Sequence, residues 1–199
     1  SPYSTVFAMG TPIYELGSVV IAEDAPVAFT AFDPAEELLW STTQDGMIQA
    51  HMLPTAEPYA AFPLDKARTP ALGIFPNPYG LIALSHDCVR FFSKGGMQQA
   101  EVRHDELLGS MCGCLATTNS SALLAVCTAL ETPALTMLDV GTGQVASSLQ
   151  LESPALMARY EPRSSLVCLG CENGTVALFD VRGKARPTSK MHVFRGKTN

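Results

Sequence analysis

The chain has 199 residues, 47% of them hydrophobic, and its 13 Lys and Arg against 19 Asp and Glu leave a formal charge of −6. That length carries one domain with a sizeable core, and the acidic balance supplies no positive field to hold phosphates, so strong direct nucleic-acid binding is not expected. No apolar run approaches the roughly 18 to 20 residues of a membrane span, since even Ala122 to Leu130 stops at Glu131.

Residues 1–24 begin at Ser1 without a Met and without the basic-then-apolar pattern of a secretory leader. They are expected to be the N-terminal extension of a piece of something longer, with Tyr14 to Ala22 strand-like. From residue 25 the hydrophobic period is 2, not 3.6. Val27 to Asp33 reads as a strand, Pro34 to Glu37 as a turn, Leu38 to Thr43 as a second strand, Gln44-Asp45-Gly46 as a tight turn and Met47 to Met52 as a third strand. The same order returns with Ala71 to Phe75, a Pro76 to Gly80 turn, Leu81 to Ser85 and Cys88 to Phe92. It returns again with Ser110 to Ala116, a Thr117 to Ser120 turn, Ala122 to Thr128 and Ala134 to Asp139. A final copy has Leu156 to Tyr160, a Glu161 to Ser164 turn, Leu166 to Cys171 and Thr175 to Asp180. A more polar fourth strand is expected in each copy, at Tyr59 to Phe62, Met97 to Val102, Gln144 to Leu151 and Met191 to Phe194.

The first leucines of the second strands are Leu38, Leu81, Leu123 and Leu166, at spacings of 43, 42 and 43 residues. That period is the one of WD40-type β-propeller blades. The expected fold class is therefore all-β, a WD40-type β-propeller with four antiparallel blades, at about 25–66, 67–106, 107–152 and 153–196, of the seven that such a ring usually holds. The second strands are apolar nearly throughout, as befits strands covered on both faces. In propellers closed by pairing of the chain ends, a strand such as Tyr14 to Ala22 completes the last blade. Leu138-Asp139 and Phe179-Asp180 stand where WD40 repeats carry Trp-Asp. The first two repeats have no Asp there, and the Gly-His dipeptide of strong repeats is missing throughout.

The block Phe32-Asp33-Pro34-Ala35-Glu36-Glu37-Leu38-Leu39-Trp40, followed by Asp45-Gly46, resembles the first blade of one particular family: the catalytic subunit of the cytoplasmic poly(A)-nuclease deadenylation complex, a poly(A)-specific ribonuclease with an N-terminal WD40 propeller. The similarity runs collinearly through Lys94-Gly95-Gly96, Leu138-Asp139, Ser153 to Arg159 and Asn173 to Arg182, over about residues 14–196, although Thr42 replaces a small Gly expected two residues after the Trp. The resemblance implies a parent enzyme that shortens mRNA poly(A) tails from the 3′ end with two divalent metal ions. It also implies a regulatory pseudokinase-like subunit and poly(A)-binding-protein-coated mRNA as partners, no membrane, and a cytoplasmic address extending to P-bodies. A WD40 scaffold of an unrelated assembly, such as a ubiquitin-ligase adaptor or a trafficking coat, is the alternative.

Chemistry within the chain itself has little to stand on. The implied nuclease holds its metals from an Asp-x-Glu motif, because both ions must share carboxylates, and none occurs here. Glu36-Glu37 and Asp105-Glu106 are adjacent pairs that splay apart and read as solvated turn carboxylates. Cys112-x-Cys114 with Cys168-x-x-Cys171 could supply four thiolates to zinc. Both pairs lie in strands without a knuckle turn, however, and buried, reduced packing cysteines without disulfides are the expectation. His51, His86, His104 and His192 fall in different repeats with no nucleophile frame. Gly95-Gly96 and Gly141-Thr142-Gly143 read as hairpin turns, not phosphate cradles. Lys184, Arg186, Lys190, Arg195 and Lys197 read as a solvated basic outer strand. Trp40 is expected to pack between the first two blades with its indole N–H on a carbonyl.

The expected function is a non-catalytic interaction scaffold with no catalytic, cofactor-binding or metal residue of its own, the rest of the propeller and the nuclease lying outside residues 1–199. A seven-bladed ring takes about 300 residues, and an open one exposes two blade faces. The isolated fragment should therefore aggregate or fail to close, which sedimentation and calorimetry would detect; a monomer with one cooperative thermal transition is the contrary outcome.

Overall fold

The computed structural model describes residues 25–117 and 121–182 in full and the strands at 6–8, 11–13 and 187–192 as backbone. Val6–Ala8 (β1) and Thr11–Ile13 (β2) form a two-stranded antiparallel ribbon that the sequence pattern did not announce. Four four-stranded antiparallel sheets follow. The first holds Val27–Phe32 (β3), Leu38–Thr43 (β4), Met47–Met52 (β5) and Pro58–Pro63 (β6). Gly73–Asn77 (β7), Gly80–Leu84 (β8), Val89–Ser93 (β9) and Gln98–Val102 (β10) make the second. The third is Ser110–Thr117 (β11), Ala122–Thr128 (β12), Ala134–Asp139 (β13) and Val145–Gln150 (β14). The fourth comprises Ala155–Glu161 (β15), Leu166–Cys171 (β16), Thr175–Asp180 (β17) and Pro187–His192 (β18). Each is a simple meander, and the four are arranged as propeller blades.

The second and third strands of blades one, three and four have the bounds read from the sequence. Blade two is shifted by one or two residues: its turn is only Pro78-Tyr79, and Pro76 pairs with Leu81 inside β7. Pro76 is tolerated because β7 is the edge of its sheet and needs no donor on that side. In blade four the outer strand starts at Pro187, four residues before the expected Met191. A Pro followed by polar residues resembles a turn, yet at the first residue of an outer edge strand it is permitted. The expected closing strand at Tyr14 to Ala22 lies outside the described residues.

Packing follows the alternation of β8. Leu81 and Ala83 point into one cluster with Leu38, Trp40, Ile48 and Ala50 of blade one. Ile82 and Leu84 point into another with Leu124, Val126 and Leu138 of blade three. Blade three repeats the device, sending Ala125 and Cys127 toward Val167, Leu169 and Phe179 of blade four. A strand with period-2 side chains thus serves two interfaces at once.

Trp40 is fully buried between blades one and two, as expected, edge-on to Phe62 with ring centroids 6.4 Å apart, and Phe62 meets Phe92 at 5.0 Å. The expected carbonyl partner is absent: the indole N–H has no acceptor among the described residues, because apolar side chains surround it. The Asp45-Gly46 turn is held at φ +77 by Gly46, where a Cβ would come within 2.5 Å of Thr69 O in the link to blade two. Trp40→Ala should lower stability by about 3–5 kcal/mol, and Gly46→Ala by about 1 kcal/mol or more. Chemical denaturation followed by circular dichroism checks both, and Trp40→Phe, which removes the unpaired donor, should cost less than Trp40→Ala.

Candidate functional site

The innermost strands of the four blades converge on a cavity of about 600 Å³ along the propeller axis. Phe29 of β3, Gly73 and Phe75 of β7, Cys112 of β11, and Leu156 and Arg159 of β15 line it. Among the described residues its wall is mainly apolar and carries one cation, Arg159. A smaller hollow of about 370 Å³ opens between blades two and three, lined by Tyr79, Leu81, Phe91, Leu115 and Val140, with Tyr79 85% exposed at its edge.

The fixed polar groups act between elements. Arg90 of β9 is buried, and its guanidinium reaches Glu101 at 2.9 Å, Asp65 of the link from blade one at 3.5 Å and Ser85 Oγ at 3.0 Å. Arg103 extends the network to Glu101 at 2.6 Å and to Asp87. Burial by itself would raise Asp65 and Asp87. Hydrogen bonds from Thr69 to Asp65 and from Cys88 and Arg103 to Asp87, with Arg90 close to both, outweigh it and hold them below the ordinary carboxylate value. Glu101 is held down chiefly by its hydrogen bond from Arg103, against burial and with help from Arg90. Asp33, 3% exposed, accepts the backbone N–H of Glu37 at 2.8 Å and of Leu38 at 2.9 Å, and pairs with Lys94 of blade two at 3.8 Å.

The sequence-singled carboxylates sit apart. Glu36 occupies the β3–β4 turn at φ 57, Glu37 follows it, and both are exposed. Asp105 and Glu106 lie in a 3-10 turn at Asp105–Leu107. These residues do not fit a two-metal nuclease centre, and among the described residues no three His, Cys, Asp or Glu side chains could hold a metal ion. Asp139 and Asp180, the counterparts of the Trp-Asp aspartate, close their hairpins: Asp139 accepts Thr142 N–H at 2.8 Å, and Asp180, brought to about 2 by hydrogen bonds from Arg182, accepts Arg182 N–H at 2.9 Å. Ser93 takes that position in blade two, its Oγ accepting Met97 N–H at 3.1 Å. Gly141 to Gly143 and Gly95-Gly96 are the corresponding β13–β14 and β9–β10 turns, with Gly143 N–H on Asp139 O at 2.8 Å and Gly96 N–H on Ser93 O at 3.0 Å.

Among the described side chains the histidines do not converge. His51 is buried on β5, within the third strand expected at Met47 to Met52 and between β4 and β6. His86 is exposed, and His104 donates from Nε2 to Gly143 O at 2.9 Å, tying the link before blade three to a turn within it. The side chains of His192 and the basic cluster Lys184, Arg186, Lys190, Arg195 and Lys197 lie outside the described residues.

The six cysteines are free. Burial raises Cys88 to about 11 and Cys114 to about 12. Cys168 and Cys171 are half-buried on β16. Cys127, which belongs to neither the Cys-x-Cys nor the Cys-x-x-Cys spacing, stands directly opposite Cys112 across β11 and β12. No helix among the described residues is long and apolar enough to cross a membrane.

The family model described as PAN2 N-terminal matches residues 9–197. The chain belongs to this family. Among curated relatives, the "PAN2-PAN3 deadenylation complex catalytic subunit PAN2" of Yarrowia lipolytica is 26% identical over 161 residues, covering 81% of this chain and 15% of the relative. The mouse (Mus musculus) Pan2 subunit of the same description is 28% identical over 171 residues, covering 84% of this chain and 13% of the relative. The chain thus spans about a seventh of the length of these relatives. The solved Neurospora crassa Pan2 WD40 domain superposes with a TM-score of 0.69 at 20% identity, over 84% of this chain and 50% of that one. The family match favours the deadenylase resemblance over a scaffold of an unrelated assembly.

The Arg90 network gives the fold an acid limit. Folded Asp65, Asp87 and Glu101 bind protons less tightly than their unfolded counterparts, whose ordinary values are 3.8 and 4.5. Their contribution is therefore complete above those values and is lost as pH falls through the lower folded ones. Thermal midpoints measured from about pH 6 down to about pH 3 should decline, and Glu101→Gln should flatten the decline. Arg90→Met should cost about 3–5 kcal/mol at neutral pH by leaving carboxylates unpaired.

Proposed function

We propose that the chain is a non-catalytic scaffold: part of the N-terminal propeller of a poly(A)-specific 3′-exoribonuclease that shortens mRNA tails. The observation that carries this reading is the family match across residues 9–197, joined to a fold whose fixed carboxylates close turns and pair with arginines. In this reading the nuclease and its two divalent metal ions reside elsewhere in the polypeptide. The relatives' naming as PAN2-PAN3 complexes supports the pseudokinase-like regulatory subunit as a partner. mRNA coated with poly(A)-binding protein is the substrate assembly, in the cytoplasm and in P-bodies.

The ring is completed by further blades, seven in all. The solved WD40 domain, half of which this chain covers, supports that reading. So do the exposed Val27 and Phe32 on the first blade, apolar groups outside the cavity wall that a neighbouring blade would bury.

A scaffold raises local concentration rather than lowering a chemical barrier. Removing residues 9–197 from the full-length polypeptide should leave shortening of naked poly(A) RNA within about twofold. Shortening of protein-coated tails by the assembled complex should fall by about tenfold or more. Equal losses on naked and coated RNA would overturn the reading.

A further inference from the structure

We propose that Cys112 and Cys127 form an oxidative modification site: a hydroperoxide entering the axial cavity oxidises Cys112, and Cys127 resolves the product into a disulfide between β11 and β12. Three observations carry the inference. The first is register. Cys112 and Cys127 are Cα partners in an antiparallel pair, where opposed residues stand about 4.5 or 5.5 Å apart with side chains on one face. Both spacings lie inside the window a disulfide requires. Cys114, two residues along the same strand, is about 6.6 Å from Cys112 with its side chain parallel, a poorer geometry for a bridge.

Access is the second. Cys112 lines the axial cavity and is half-buried, whereas Cys127 lies fully buried in the packing between blades three and four. A small uncharged oxidant therefore meets Cys112 first, with Cys127 directly behind it. The third is reactivity. The hydrogen bond that Cys127 offers holds the Cys112 thiol below its ordinary value despite burial, with Arg159 adding to the effect, while hydrogen bonding to Cys112 and burial hold Cys127 far above. The partly exposed sulfur is the nucleophile and the buried one the resolving thiol.

The chemistry balances. The Cys112 thiolate attacks one peroxide oxygen; the S–O bond forms, the O–O bond breaks, and hydroxide leaves to take up the proton that Cys112 released, giving water and a sulfenic acid. The Cys127 sulfur then attacks Cys112 Sγ; the S–S bond forms, the S–O bond breaks, and the departing hydroxyl leaves as water with the Cys127 proton. Two thiols are oxidised and one hydroperoxide is reduced to two waters, or to water and an alcohol for an organic peroxide. The reduced Cys112 Sγ donates to Ala155 O of blade four at 3.4 Å, and a disulfide sulfur has no hydrogen for that bond. Oxidation therefore joins two strands within blade three and removes a hydrogen bond between blades three and four.

The test uses the full-length polypeptide, reduced and then exposed to hydrogen peroxide, with peptide mapping under non-reducing conditions. The expected result is a Cys112–Cys127 linked peptide that a dithiol reductant dissolves, with loss of alkylation at both positions. In Cys127→Ser, Cys112 should instead accumulate as the sulfenic acid, trapped by a cyclic 1,3-diketone. A link from Cys127 to Cys171, a link from Cys112 to Cys114, or modification of Cys168 or Cys171 with Cys112 untouched would overturn the proposal.

Discussion

A four-stranded antiparallel blade has two apolar faces and can bury neither by itself. Everything else in this chain depends on that constraint. Side chains alternate along a strand, so β8 must hold Leu81 and Ala83 for blade one and Ile82 and Leu84 for blade three, all of them 1% exposed or less. A single hydrophobic stripe, adequate for a two-layer sandwich, would leave one interface empty here. Burial of apolar area at roughly 25 cal/mol per Å² supplies the drive, but it is non-directional and does not fix which blade meets which.

Direction comes from the few polar groups at the seams. Asp33 closes the first turn of its own blade by accepting two backbone N–H groups, then presents its other oxygen to Lys94 of the next. Arg90 does the same from blade two, reaching back to Asp65 in the link and across to Glu101 on the neighbouring strand. His104 reaches forward to Gly143 O in blade three. Such pairs add little when solvated. Sunk at the seam, as Arg90 is, they penalise any packing that would strand one charge.

Much of this was legible in the sequence because it rests on local pattern. The second and third strands of blades one, three and four keep their expected bounds since an apolar period of 2 flanked by Asp-Gly, Asn-Gly or Pro turns has no competing reading. Outer strands were harder. Pro187-Thr188-Ser189 looks like a turn, and only its position at a sheet edge makes it a strand. The missing partner of Trp40 was invisible for a different reason: satisfaction of an indole N–H is decided by neighbours 20 or more residues away, among them Phe62 and Phe92. Cys127 belongs to neither metal-ligand spacing, Cys112-x-Cys114 or Cys168-x-x-Cys171, so spacing along the chain does not single it out. The signal was present nonetheless: counting outward from the turn between β11 and β12 places Cys127 opposite Cys112.

The same geometry separates what blades do well from what they do poorly. Two-metal hydrolysis needs several carboxylates converging on one concave point. Of the carboxylates this fold holds still, Asp33, Asp139 and Asp180 close turns in three different blades, while Asp65, Asp87 and Glu101 meet only around the guanidinium groups of Arg90 and Arg103, which neutralise them. A meander repeats its turns around a ring, so residues that close turns are spread apart by construction. What the ring does gather at one place is its inner strands, and with them apolar surface, Arg159 and the thiol of Cys112. Selection acting on such a fold has surfaces and interfaces to work with, and a pair of opposed thiols at the seam between two blades gives one of those interfaces a chemical state.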